Sequence, residues 1–139
     1  MQQEQITIVV ALIKNEKGEI LVAQRHGPST PETHNKWEFV GGGIEFGETP
    51  EEAIIREAKE EAGINVKVTR LLPKIFSPTW EINEKMIQII ILSFECEIVS
   101  GQITEGLDPE IKNLKFISQN EIKKLDCLPN VKEIANLLN

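Results

Sequence analysis

Glu57, Glu60 and Glu61 stand at the spacing i, i+3 and i+4. On a helix, that spacing gathers three carboxylates on one arc of the surface. The gathering is locally unfavourable, because like charges three and four residues apart repel by roughly a few tenths of a kcal/mol per pair. Glu60 and Glu61 also fall in the last turn of the expected helix, where the helix dipole prefers cations. A solvated acidic face is the plain explanation. A bound cation is the stronger one, since magnesium takes hard oxygen ligands from carboxylates, water and substrate phosphate. Just upstream, Gly41-Gly42-Gly43 either makes a tight turn or lets the backbone come close to a ligand.

The element that must carry these carboxylates is strongly signalled over residues 50–62. Thr49 is placed as N-cap, Pro50 at the first helical position and Glu52 as the capping-box partner, and Gly63 supplies a left-handed stop. Ile54, Ile55, Ala58 and Ala62 share the arc expected to face a core, with Arg56 and Lys59 further round. Upstream, 5–14 reads as a β-branched strand, 15–19 as a turn, 20–24 as a returning strand and 27–36 as a surface loop. Residues 37–40 read as a short strand ending in the three glycines, and 44–48 as a loop. Downstream, 64–72 and 86–99 read as strands, 100–113 as a polar loop and 114–117 as a last short strand. A helix start follows at 118–121, and 129–138 form a C-terminal helix with apolar residues at 131, 134, 135 and 138. Mixed strands and helices in this order predict a sheet sandwiched by helices.

Residues 42–64, GGIEFGETPEEAIIREAKEEAGI, resemble the signature of the Nudix hydrolase family. The signature runs glycine, five residues, glutamate, seven residues, Arg-Glu, an aliphatic, any residue, Glu-Glu, any residue, glycine, an aliphatic. Its positions fall here on Gly42, Glu48, Arg56, Glu57, Ala58, Glu60, Glu61, Gly63 and Ile64, and every fixed position is met. Ala58 is smaller than the usual aliphatic, which bears on packing. The likeness extends through Trp37-Glu38-Phe39 and the order of elements, so it covers most of the chain.

The resemblance implies an α/β fold, a Nudix-type α/β/α sandwich with a mixed sheet, in a single domain over 1–139. It implies that Glu57, Glu60 and Glu61 bind Mg²⁺, with Mn²⁺ able to substitute, and that the Gly41 carbonyl adds a ligand. Arg56 is implied to orient the acidic cluster, although an i, i+4 surface pair with Glu60 is the modest alternative. Glu48 is implied to pair with the motif or to reach metal through water, against an ordinary loop charge. An acidic residue before the last strand often serves the family as ligand or general base. Glu110 is the first choice, with Glu105 and Asp108 as rivals. Arg25 is implied to meet substrate phosphate. Asn130 sits where the MutT-like branch places an Asn that reads a purine edge, a task open to an amide and matched by an N-cap role. Trp80 is left open between base stacking and core, whereas Trp37 is read as core. His26 and His34 are read as surface residues.

The implied activity is Mg-dependent pyrophosphohydrolysis of a (deoxy)nucleoside triphosphate to the monophosphate and pyrophosphate, oxidised purine nucleotides included. ADP-ribose or dinucleoside polyphosphate hydrolysis is the runner-up, and a nucleotide-sensing module without catalysis is the rival from another class; a third reading, an RNA end-processing enzyme, predicts a basic groove that the overall acidity disfavours. Such modules usually lose a signature glutamate, and this chain keeps all of them. Composition agrees with the small-molecule reading. The chain has 139 residues, 40% hydrophobic and 27% charged, with a net charge of −7 and a pI near 4.9. That balance disfavours a nucleic-acid-gripping protein, which would cluster Lys and Arg. It tolerates small phosphate ligands, because a bound divalent cation reverses the local sign. Cys96 and Cys127 lack a paired motif and are read as buried apolar groups. The N-terminus lacks a basic start and a long apolar run, so no membrane partner and a cytoplasmic location are expected. A nucleotide substrate is the expected partner, and homodimer assembly is left open.

Overall fold

The computed structural model describes residues 1–138, and Asn139, the last residue of the expected domain, lies outside the described residues. In chain order the strands are β1 (Gln2–Lys14), β2 (Ile20–Arg25), β3 (Trp37–Glu38), β4 (Val40–Gly43), β5 (Asn65–Leu71), β6 (Thr79–Ile82), β7 (Lys85–Ser100) and β8 (Ile111–Ile117). The helices are α1 (Pro50–Ala62), between β4 and β5, then α2 (Gln119–Ile122) and α3 (Val131–Ala135) after β8.

Strand β1 organises the sheet. It runs parallel to β7 from Gln2↔Lys85 to Lys14↔Glu97, and antiparallel to β4 from Ile8↔Gly43 to Ala11↔Val40. Beyond β7 lie β5 and β6, both antiparallel to it, and β2 carries β3 and β8. The sheet is therefore mixed. Its strands alternate between two buried faces, as side chains on a pleated strand must. Val9, Ala11 and Ile13 join Ala53, Ile54, Ala58 and Ala62 of α1 in one core. Val10 and Leu12 point the other way, to Ile122 of α2 and to Val131, Ile134 and Ala135 of α3. The result is the α/β/α sandwich expected from the sequence. Full burial of an Ile or Leu contributes roughly 1.5–3 kcal/mol, so both faces anchor the sheet.

Helix α1 forms as its sequence dictates. Thr49 accepts from the Glu52 N–H at 3.1 Å, its own N–H donates to Glu52 Oε1 at 2.8 Å, and Gly63 closes the helix at φ 74°. Several details differ from expectation. The three glycines lie inside strand β4, paired to β1, and do not follow a strand as a turn. Ile55 is exposed, and Ala53 takes its place on the core arc. Strand β6 was not foreseen; it returns to β7 through Asn83 and Glu84 at φ 49° and 64°, a two-residue turn without glycine. The C-terminal helix is short, because Asn130 is left-handed at φ 70° and residues Asn136–Leu138 tighten into a 3-10 turn. Strand β8 also begins earlier than expected, at Ile111. Cys96 is buried and its thiol is pushed up to about 12 by desolvation, whereas Cys127 is only half-buried; both are free. No described helix is long and apolar enough to cross a membrane.

Candidate active site

Arg56 is the hub of the acidic face of α1. Its Nε and Nη2 donate to Glu48 at 2.7 and 2.9 Å, a forked pair of the strong bidentate kind. Nη1 donates to Glu57 Oε1 at 2.9 Å and to Glu60 Oε2 at 3.2 Å, and Nη2 also reaches the Gly43 carbonyl at 3.0 Å. One guanidinium thus ties the loop before α1 to the helix and to the end of β4. Hydrogen bonds from Arg56 and from the Glu45 N–H hold the Glu48 carboxyl down at about 2. Glu48 spends its oxygens on these partners and does not border the cleft described next, an arrangement that matches pairing with the motif.

Between α1, the start of β8 and the end of β2 lies an open cleft of about 350 Å³. Glu57, Glu60 and Glu61 border it on one side, Asp108 and Glu110 on another, and Arg25, Glu38, Gly41 and Gly42 complete it. Glu105 does not border it. Glu61 is only 8% exposed, and its carboxyl is pushed up to about 10, first by burial and then by contact with Glu57. The Gly41 N–H approaches Glu61 Oε1 at 3.4 Å. Buried neighbouring carboxylates need a shared proton or a cation between them. Among the described residues, no three acidic, histidine or cysteine side chains are drawn tightly enough to ligate one ion as they stand. The reason is visible in the bonds that turn Glu57 and Glu60 toward Arg56. The donor set nevertheless fits a hard divalent cation: clustered carboxylates, one of them buried and short of positive charge, beside an open cleft.

The glycines of β4 serve this site through space. A Cβ on Gly42 would lie 2.6 Å from Glu57 Oε1, so the missing side chain is the room Glu57 occupies. A Cβ on Gly41 would lie 2.1 Å from the Val9 carbonyl oxygen, so that glycine serves the pairing of β4 with β1. Both close approaches are therefore made within the chain, and neither glycine forms the tight turn weighed from the sequence.

Arg25 reaches the cleft because the register of β2 with β8 slips between Gln24 and Arg25. Such an irregularity re-aims the side chain that follows it. Its Nη1 donates to Glu38 Oε2 at 2.9 Å across β2 and β3. Burial raises the Glu38 carboxyl above its ordinary range, and Arg25 works against that shift. Glu110 is held by its backbone: its N–H donates to Asp108 Oδ1 at 2.9 Å and its carbonyl accepts from the His26 N–H at 2.6 Å. His26 and His34 meet edge to face at 5.5 Å, beside this segment.

On the other face of the sheet lies an apolar pocket. Ile8, Val10, Phe39 and Ile91 contribute from strands, Trp80 from β6, and Leu128 and Val131 from around α3. Trp37 packs against the same core, with the Lys115 ammonium 4.7 Å above its ring. Asn130 stands next to Val131 but does not line the pocket; its amide donates to Glu133 Oε2 at 2.8 Å. It also makes no side-chain cap bond, which departs from the N-cap alternative. Glu38 was missed as a site residue. The sequence marks it only as the middle of Trp37-Glu38-Phe39, where the family likeness continues, and it is the one described residue that borders both the cleft and the pocket.

A NUDIX domain family model matches residues 4–137. Over 72 residues the chain is 42% identical to an 8-oxo-dGTP diphosphatase of Escherichia coli K12, a stretch covering 52% of this chain and 54% of the relative. Over 53 residues it is 47% identical to an RNA pyrophosphohydrolase of Acinetobacter baylyi, covering 38% of this chain and 28% of that one. The chain thus spans about half or less of the length of these curated relatives. Among solved structures, a MutT protein from Methanosarcina mazei Go1 is similar with a TM-score of 0.73 and 26% identity, over 98% of this chain and 94% of the other. A NUDIX hydrolase from Nitrosomonas europaea shares the fold with a TM-score of 0.78 at 22% identity, over 96% of this chain and 87% of that one.

Proposed function

The chain belongs to the NUDIX domain family, and on that footing we propose that it is a Mg-dependent pyrophosphohydrolase of nucleoside triphosphates. Water and a nucleoside triphosphate would give the nucleoside monophosphate and pyrophosphate. The observation that carries this reading is an acidic cleft, built on Glu57, Glu60 and Glu61 and faced by Arg25, that adjoins an apolar pocket walled by Trp80. Phosphates suit the first and a base suits the second. The names of the similar proteins, an 8-oxo-dGTP diphosphatase and an RNA pyrophosphohydrolase, support the same bond class.

Glu57, Glu60 and Glu61, with the Gly41 carbonyl, would hold the metal. Bound there, a divalent cation supplies polarisation of the phosphoryl oxygens and a lowered pKa for the attacking water. Arg56 fixes the carboxylate side chains through the bonds to Glu57, Glu60 and Glu48. Arg25 offers its remaining guanidinium donors to phosphate. Glu110, which lines the cleft opposite α1, would take a proton from water or add an oxygen ligand. Glu48 acts through Arg56 as a positioning residue. Trp80 offers a base its ring, and Asn130 remains a candidate reader of the base edge.

The test is a panel of nucleoside triphosphates, an 8-oxo-purine triphosphate, ADP-ribose, a dinucleoside polyphosphate and a 5′-triphosphorylated RNA. Each is scored for released pyrophosphate or phosphate with Mg²⁺ and with EDTA. Monophosphate and pyrophosphate from a triphosphate, abolished by EDTA and restored by Mg²⁺ or Mn²⁺, is the expected result. Glu61→Gln should lower kcat by about a hundredfold or more while leaving the fold intact. Full turnover in EDTA would falsify the metal-based mechanism, and a near-normal kcat for Glu61→Gln would remove Glu61 from it.

A further inference from the structure

Resting on the reading of Glu110 above, we propose that Asp108 is its positioning residue: the Asp108 carboxylate holds the Glu110 N–H and thereby sets the direction in which the Glu110 side chain meets the cleft. The Glu110 side chain needs such help. It is exposed, and among the described residues no hydrogen bond or ion pair reaches its carboxylate. A flexible carboxylate of this kind is aimed through its backbone.

That backbone is locked from both sides. Asp108 Oδ1 accepts from the Glu110 N–H at 2.9 Å, and the Asp108 carbonyl accepts from the Ile111 N–H at 3.0 Å. The two bonds close a turn over residues 108–111. Pro109 stands at its second position, where the fixed φ of proline suits the turn. An aspartate side chain has the length to bond its own backbone two residues on. As an ionised acceptor it makes a stronger bond than a neutral one. On the other side, the Glu110 carbonyl accepts from the His26 N–H at 2.6 Å. His26 follows Arg25, which pairs with Ile111 after the register slip of β2. The turn therefore delivers Glu110 to the first step of β8, beside Arg25 and across the cleft from α1. Asp108 is half-buried against this turn, whereas Glu110 stands out from it. The shorter acid has committed an oxygen to the backbone, and the longer one is left free for chemistry.

The test measures kcat and KM with Mg²⁺ on whichever substrate of the panel above is turned over fastest. The proteins are the wild type, Asp108→Ala, Asp108→Asn, Pro109→Gly and Glu110→Gln, with the first and third changes also combined with Glu110→Gln. Asp108→Ala should lower kcat by about tenfold and leave KM within about threefold, because small misplacements of a reacting group are costly. Asp108→Asn should recover most of that loss, since its amide oxygen can take the same N–H. Pro109→Gly loosens the turn without touching a carboxylate, and should lower kcat by about threefold. In the Glu110→Gln background neither Asp108→Ala nor Pro109→Gly should lower kcat further, as expected of residues that act as one unit. An Asp108→Asn rate as low as that of Asp108→Ala overturns the proposal and makes the charge of Asp108 the working feature. Losses that multiply in the Glu110→Gln background overturn it as well, by giving Asp108 a role of its own. If Asp108→Ala does not fold, Pro109→Gly decides, and an unchanged kcat or a multiplied loss overturns the proposal. A damaging Glu110→Gln beside a silent Asp108→Ala overturns the positioning role alone. A silent Glu110→Gln, or a wild type that turns over nothing in the panel, overturns the reading beneath it too.

Discussion

Gly41 and Gly42 are adjacent in sequence and differ in what they protect. A methyl at Gly41 meets the backbone oxygen of Val9, which cannot move without shifting β1 against β4. A methyl at Gly42 meets the end of the Glu57 side chain, which can turn away. Gly41→Ala is therefore expected to lower stability by about 1–3 kcal/mol, the usual cost of overpacking, in denaturant unfolding. Gly42→Ala should unfold near the wild-type midpoint yet lose about tenfold to a hundredfold in kcat, because small misplacements of a reacting group are costly. Equal losses of stability in both variants would sink the distinction. Sequence could show three glycines before a capped helix, but their neighbours come from β1 and α1 and exist only once the chain has folded. The place of Glu38 was hidden for the same reason, since the two cavities it borders are formed by distant segments. The carboxylates of α1 were readable because one helix supplies their spacing.

Helix α1 was legible at both ends because each of its stop signals is local. Thr49, Glu52 and Gly63 act on backbone groups within one turn. Thr49→Ala should accordingly cost about 1 kcal/mol of stability, read by thermal unfolding, and no cost would mean that packing alone holds the helix start. Strand β6 and the start of α3 were not legible. The turn joining β6 to β7 uses Asn83 and Glu84 where the strong hairpin signal is Asn-Gly, and β6 depends on an edge offered by β7. At α3, the sequence predicts a helix from Pro129, yet Asn130 at φ 70° delays its start to Val131. Asn130→Gly should keep stability while Asn130→Ala loses about 1 kcal/mol, since alanine pays the left-handed penalty that glycine avoids. The same pair of variants weighs the base-reading role. A selective drop in kcat/KM for guanine nucleotides in Asn130→Gly assigns the amide to the base, and a uniform response assigns Asn130 to structure.

For the whole molecule, the buried acid of α1 links site and stability. Glu61 titrates near 4.5 when unfolded and at about 10 when folded. The folded chain therefore retains a proton that the unfolded chain releases, so this contribution is complete below pH 4.5 and declines as pH rises toward 10. Metal-free protein should melt at progressively lower temperature from about pH 5 to pH 9, and Glu61→Gln should flatten that slope. A melting temperature independent of pH across this window in the wild type would contradict the buried protonated carboxyl. Saturating Mg²⁺ should also flatten the slope, because a cation does the work of the proton. The pairing of β1 with β7 has a consequence of another kind, in time. During synthesis, the segment Ile6–Ile13 leaves the ribosome long before Ile89–Cys96, the partners its register assigns. Parallel pairing between such distant segments is slow, and an apolar strand waiting for its mate is exposed to the wrong neighbours. Until Cys96 has been made, the nascent chain thus holds Ile6–Ile13 with only the β4 side of that strand able to pair.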